Sequence, residues 1–312
     1  MQDVSYKPPT ADEIREGRKK RTIIHMFTVY GDDSSDGEHK IVFVAAALIA
    51  KQEEWDSLEP FWKERTGGVQ YHTTDCLAGK RAYNGWSKEE RYFLHNDLAR
   101  LIVNSPIVGH AFAIDVASFA EIMHHVKRSE IFLYCFTHMV GGACAIIRSY
   151  NKIHENDQEK QRAKFVFDSD NDEVNAGQLY ALLKKMKRWD ELTADCEGAV
   201  EFAFPGDKPV GIQAADLWAY EVRKGFDNKL KGINVESYAR KLLSPDYPRF
   251  VRNEYFRSNI MDAKNRIDQM SNESEYQDAY EQWLLKHRRQ DNATNTIAFA
   301  AYWDEQLRKK EQ

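Results

Sequence analysis

The chain has 312 residues, 42% of them hydrophobic and 30% charged, with 7 Trp, 15 Tyr and 16 Phe, a composition that fits a folded globule and excludes an intrinsically disordered chain. That length suits one elaborated α/β domain or a domain with an appendage. With 44 basic against 49 acidic residues the net charge is −5, so no global positive excess advertises a polyanion partner, and any grip on nucleic acid must come from local patches or from metal.

Four cysteines, Cys76, Cys135, Cys144 and Cys196, form no CxxC pair, which argues against a zinc ribbon or a disulfide framework and fits a reducing, cytoplasmic setting. The N-terminal stretch, with Pro8, Pro9 and the charged run 15–21, lacks the apolar core of a signal peptide. Residues 131–147 are uncharged, but they are shorter than the roughly 20 residues of a membrane span and contain Thr137, His138, Gly141 and Gly142. They read as a buried central helix.

In chain order, Thr10 and Glu13 have the spacing of a capping box and open a short charged helix over 11–20. Residues 23–30, β-branched and aromatic, form a strand that runs into a turn cluster at 31–37 and delivers acids there. A second buried strand follows at 41–49, antiparallel to the first if the turn is a short hairpin. Next come a helix over 53–65 bent at Pro60, and a polar cluster from Tyr71 to Asp75 in a loop or at a strand end. Ser87 and Glu90 make a second capping box, and the helix they open stops at Ser105-Pro106. A third strand (107–114), the long apolar helix (130–150), a fourth strand ending on acids (164–170), a helix (176–189), a fifth strand (200–204) and a helix over 210–224 complete the core. Residues 229–312 read as a helical C-terminal extension with segments at 235–243, 275–287 and 294–308, without a strand of comparable strength.

The chemistry gathers around Asp216. At helical spacing it shares a face with Gln213, Leu217 and Tyr220, so it points inward, and a buried carboxylate needs a hydrogen bond, a counter-charge or a metal. An ion pair with a nearby Arg or Lys, or capping of a turn, is the ordinary answer. The other is convergence with Asp32 and Asp168, each at a strand end. Neighbouring parallel strands bring their ends together beside a packing helix. Three carboxylates there would be tolerated with a divalent cation between them, and hard oxygen ligands suit Mg²⁺ or Mn²⁺ and phosphoryl-transfer chemistry.

Asp170 and Asp172 compete with Asp168 for that role. The run from Asp168 to Asp172 has the beginning of a calcium loop, but Glu173 stands where glycine is required and Leu179 falls at the twelfth position. Asp33 is a further candidate ligand, although strand alternation would turn it away from Asp32. His72 and Asp75 are candidates to position water or bind phosphate, with Lys80 and Gln213 as substrate contacts. The basic clusters at 15–21, 184–188 and 286–289 read as solvated faces. His124, His125 and His138 read as structural. No G-x-S-x-G elbow, Walker lysine loop or dinucleotide glycine pattern occurs.

The pieces YGDDSSDG (30–37), HTTD (72–75), VFD (166–168) and GIQAADLWAY (211–220) resemble the family called domain of unknown function 3800. Asp33 stands where that family usually has glutamate, and Ser35 where glycine is usual. The resemblance covers about residues 23–224. It implies a ribonuclease H-like fold, a mixed five-stranded sheet flanked by helices, over 23–228, after a charged segment at 1–22 and before the helical extension at 229–312. It also implies a metal-dependent nuclease acting on RNA or DNA with Asp32, Asp168 and Asp216 as ligands. The alternative is a catalytically silent nucleic-acid- or protein-binding module of the same fold, in a phage-defence or mobile-element setting. The C-terminal helices offer a dimerisation surface, a lid or a partner dock.

Overall fold

The structure, a computed structural model, describes residues 26–35, 41–123, 128–153, 162–168, 176–185, 188–193, 199–203, 208–243 and 249–271. The expected helices at 11–20, 275–287 and 294–308, the histidines 124 and 125, and the acids 170 and 172 lie outside these residues.

The organising strand is β1 (Met26–Ser35). It runs through the expected turn, because residues 31–35 stay in register with β2 (Val42–Lys51), from Gly31 opposite Ala47 to Ser35 opposite Phe43. Asp32 and Asp33 therefore sit in the ladder itself, opposite Ala46 and Ala45, and not in a loop. On its other edge β1 pairs in parallel with β4 (Arg162–Asp168), which pairs in parallel with β5 (Ala199–Ala203). Beyond β2 lie antiparallel β3 (Val108–Asp115) and, parallel to it, β6 (Phe250–Tyr255).

The sheet thus has six strands in the order β5-β4-β1-β2-β3-β6, where five were expected, and the sixth comes from the region read as purely helical. Edge position explains the difference. Of β6 only Phe250 is fully buried, and Arg252, Asn253 and Glu254 follow it, so the apolar alternation that marks a half-buried strand is missing. Phe250 is seated against Trp218, ring centroids 5.4 Å apart, and against Gly109, where a Cβ would come within 2.6 Å of the Phe250 ring.

Between the strands run α1 (Gln52–Thr66), α2 (Thr73–Ala78), α3 (Lys88–Asn104), α4 (Val116–Ile122), α5 (Arg128–Ile153), α6 (Ala176–Lys185), α7 (Arg188–Leu192), α8 (Val210–Leu230), α9 (Tyr238–Leu242) and α10 (Arg257–Ser271). Of the helix expected over 176–189, residues 176–185 and 188–189 are described, and both stretches are helical. In the cluster at 71–75, Tyr71 and the extended His72 lie in a loop as expected, while Thr73, Thr74 and Asp75 open α2. The capping box forms as expected, with Glu90 N–H donating to Ser87 Oγ at 3.1 Å and Ser87 N–H to Glu90 Oε2 at 2.7 Å, and α3 ends at Ser105.

Strand alternation divides the interior into two cores. Tyr30, Val44, Leu48 and Val166 face α1, α3 and α8, while Val29, Phe43, Phe112 and Phe167 face α5. Among the described residues one helix, α5, is long and apolar enough to cross a membrane by length and composition, yet its apolar residues Phe132, Phe136, Met139, Val140 and Ile147 are buried against the sheet. Its glycines have a purpose: a Cβ at Gly142 would fall 1.9 Å from His110 Nε2 of β3, so only glycine lets the helix pass over that histidine. His138 stacks on Phe112 at 4.5 Å, in keeping with a structural role. Cys76, Cys135 and Cys144 are buried thiols.

Candidate functional site

The last paired positions of β1 and β4 are Gly31 and Phe167, so Asp32 and Asp168 come next, side by side. Alternation puts both on the face covered by α8, the face of Tyr30 and Val166. Asp33 turns to the other face and is exposed there, lining a shallow cleft with Phe43, Phe136, Met139 and Phe167. Its backbone N–H donates to Asp32 Oδ1 at 2.8 Å.

Two glycines let the layers close on the acids. A Cβ at Gly211, in the first turn of α8, would stand 2.0 Å from the Tyr30 ring, and one at Gly31 would stand 2.7 Å from the Phe167 ring. With α8 seated on Tyr30, Asp216 comes over the end of β1. Burial pushes the Asp32 carboxyl well above its usual range, and the charges of Asp216, Asp168 and Asp33 push it further, against the opposing pull of Lys208. Asp32 thus lies close enough to both Asp168 and Asp216 to feel their charges.

Each is also engaged by the chain. Asp216 Oδ2 accepts the Thr73 N–H at 2.7 Å, so this aspartate caps the N-terminus of α2 from another helix. The His72 side chain, at the N-cap position, does not cap it. Asp168 Oδ2 takes the Lys208 ammonium, with about a tenth of each side chain exposed. Lys208 stands two residues before α8. The sequence reading passed over it because its partner is 40 residues away and a lysine in a Gly-Asp-Lys-Pro turn looks solvated.

Gln213, expected at the substrate, is buried and its amide is spent internally. Oε1 accepts from Trp62 Nε1 at 3.1 Å and from Tyr71 N–H at 2.8 Å, and Nε2 donates to the Lys208 carbonyl at 2.8 Å. His72 and Asp75 do come together, Nδ1 to Oδ2 at 3.0 Å, and Arg81 Nη1 approaches the same oxygen at 3.3 Å. Arg81 has φ +50°, the one positive value at a non-glycine among the described residues. Lys80 is exposed beside this group.

A buried relay that the sequence did not suggest supports the segment 71–73. Tyr71 Oη lies 2.7 Å from His95 Nδ1, and His95 Nε2 lies 2.8 Å from Glu221 Oε1. The other Glu221 oxygen takes Ser237 Oγ at 2.6 Å and Arg240 Nη2 at 3.3 Å. Burial alone would raise the Glu221 carboxyl; the bonds from His95 and Ser237 and the Arg240 charge outweigh it and hold the carboxyl below its ordinary value. Tyr71, His95 and Glu221 thereby tie α3 and α8 to the residues flanking His72.

The donor set of Asp32, Asp168 and Asp216 fits a hard divalent cation in kind. As the side chains stand, no three Asp, Glu, His or Cys groups among the described residues are drawn together tightly enough to enclose an ion, and the Lys208 ammonium supplies positive charge to the cluster. The chain matches no protein-family model, and no curated protein matches it significantly.

Proposed function

We propose that the chain is a divalent-metal-dependent phosphodiester hydrolase of ribonuclease H-like fold, a nuclease of the kind the domain of unknown function 3800 family is expected to contain. The observation that carries this reading is the Asp32 carboxyl, squeezed between burial and the charges of Asp216 and Asp168. A cluster of acids that Lys208 offsets only in part is costly to fold and is typical of functional sites. Asp32, Asp168 and Asp216 would hold Mg²⁺ or Mn²⁺, which would activate a water and stabilise the leaving oxygen of a phosphodiester. For that, Lys208 must share or yield Asp168. His72, whose Nδ1 lies 3.0 Å from Asp75 Oδ2, would serve as the proton acceptor.

The test is cleavage of labelled RNA and DNA oligonucleotides in Mn²⁺. Asp216→Asn keeps an oxygen that can cap α2 but loses the charge, so it should fold and lose activity by about a hundredfold or more. Undiminished cutting by that variant would remove the mechanism. One observation favours a second reading, a binding module without turnover: the Lys208–Asp168 pair already offsets charge without any metal. Calorimetric titration with Mn²⁺ separates the two, because specific binding that Asp32→Asn abolishes belongs to the hydrolase alone.

A further inference from the structure

A cluster of three acids on a chain of net charge −5 repels the phosphates it would act on, so the site needs a cation aimed at substrate. Lys208 is committed to Asp168. Arg223 is placed differently. It lies seven residues after Asp216 on α8, close to two helical turns on, and so on the same side of the helix. Its Nε donates to Ser34 Oγ at 3.1 Å, and its guanidinium carbon sits 5.0 Å from the centre of the Tyr220 ring.

Ser34 follows Asp32 by two residues and shares its face of β1. Helix and strand therefore advance together: Gly211 meets Tyr30, Asp216 acts on Asp32, and Arg223 bonds Ser34. Lys208 and Arg223 bracket the acids from opposite ends.

The partners of Arg223 are what mark it out. A guanidinium has five N–H donors in a planar fork, and one in a half-buried position is ordinarily spent on a carboxylate or on carbonyls. Arg240 is bound to Glu221 and its backbone, Arg81 approaches Asp75, and Arg249 donates to the carbonyls of Val103 and Ser105. Arg223 contacts a neutral hydroxyl and a ring, and among the described residues no carboxylate pairs with it and its Nη groups make no hydrogen bond. The Tyr220 ring and Ser34 fix its plane, which leaves the fork available for two oxygens of one anion.

We infer that Arg223, oriented by Ser34 and Tyr220, is a phosphate-binding subsite that holds a backbone phosphate of a nucleic-acid strand beside the one presented to Asp32, Asp168 and Asp216. The identity of the ligand as nucleic acid rests on the proposed hydrolase function; the anion site itself rests on the geometry of Arg223.

The experiment measures fluorescence anisotropy of short labelled single-stranded RNA and DNA in EDTA, with wild type, Arg223→Gln and Arg223→Lys, each checked by its melting temperature. Arg223→Gln should weaken binding by about tenfold and lower the slope of log affinity against log salt by roughly one, while Arg223→Lys keeps the slope. The inference is overturned if wild type binds neither strand, or if Arg223→Gln binds with unchanged affinity and slope. Should Arg223→Gln fail to fold, Arg223→Lys decides: a retained slope supports the subsite and a lost slope overturns it. Cleavage in Mn²⁺ separates this result from the parent reading. Arg223-dependent binding without cleavage upholds the subsite and sinks the hydrolase, whereas cutting with equal kcat/KM by wild type and Arg223→Gln sinks the subsite and upholds the hydrolase.

Discussion

Asp32 works against the stability of its own fold, and that gives a test at the scale of one residue. Its folded-state pKa lies above the unfolded value near 3.9, so the fold favours the protonated form. Stability falls as pH rises from the unfolded value through the raised folded one, and the penalty is complete only above the latter. Asp32→Asn removes the charge with little change of shape. In EDTA at neutral pH it should melt higher than wild type, by about 1.5 °C for each kcal/mol recovered in a chain of 312 residues. In Mn²⁺ the order should reverse, since only wild type gains stability from bound ion. Parallel melting curves in both conditions would show that Asp32 is neither strained nor a ligand. At this scale the sequence was partly legible. Acids at the ends of β-branched runs, and one acid on an apolar helix face, pointed to Asp32, Asp168 and Asp216. Lys208 and the Thr73 N–H were not visible, because each meets its acid only after the chain has closed over 40 residues or more.

At the scale of elements, the site depends on how closely α8 lies on β1, and Gly211 sets that distance. A methyl group there would stand 2.0 Å from the Tyr30 ring, which is itself held against Trp55 with ring centroids 4.9 Å apart. Gly211→Ala must push α8 outward or turn the ring, at a cost of about 1–3 kcal/mol, and Asp216 and Arg223 move with the helix. A double-mutant cycle locates the strain: with Tyr30→Ala the cost of Gly211→Ala should shrink by at least about 1 kcal/mol in urea denaturation. Additive costs would mean the ring is not what the methyl group meets. The same helix carries Glu221, whose partners His95 and Arg240 come from α3 and α9. Glu221→Gln leaves the buried Arg240 guanidinium without its charge partner and should cost about 3 kcal/mol by the same assay. Five strands were legible as β-branched and aromatic runs, whereas β6 was hidden by its polar, edge-strand composition. The relay was hidden for another reason. A lone histidine in a helix and a lone glutamate in another look solvated until tertiary packing buries both.

For the whole molecule, the response to acid follows from which titrating groups the fold keeps from water. His110 is the strongest case. It projects from β3 against Gly142 of α5, with Nε2 3.3 Å from the His138 carbonyl, and burial pushes its pKa down to about 4. The unfolded chain takes up that proton near pH 6.5, the fold only near 4, so stability falls as pH drops through this window and the loss is complete below it. Roughly 2.5 pKa units correspond to about 3 kcal/mol in total. Glu221 adds to the acid loss at lower pH, since its depressed carboxyl stabilises the fold above the ordinary carboxylate range and ceases to do so as pH falls through the folded value. Asp32 acts in the opposite direction, its penalty lifting as it protonates. His110→Gln keeps a neutral polar side chain and removes the first of these. Unfolding free energies from urea curves between pH 4 and 6.5 should therefore rise with pH less steeply in the variant than in wild type. The difference should approach one proton per molecule, about 1.4 kcal/mol per pH unit, in the middle of the window. Identical slopes would mean that His110 reaches water or a counter-charge in the fold, and that acid sensitivity must be sought in the carboxylates instead.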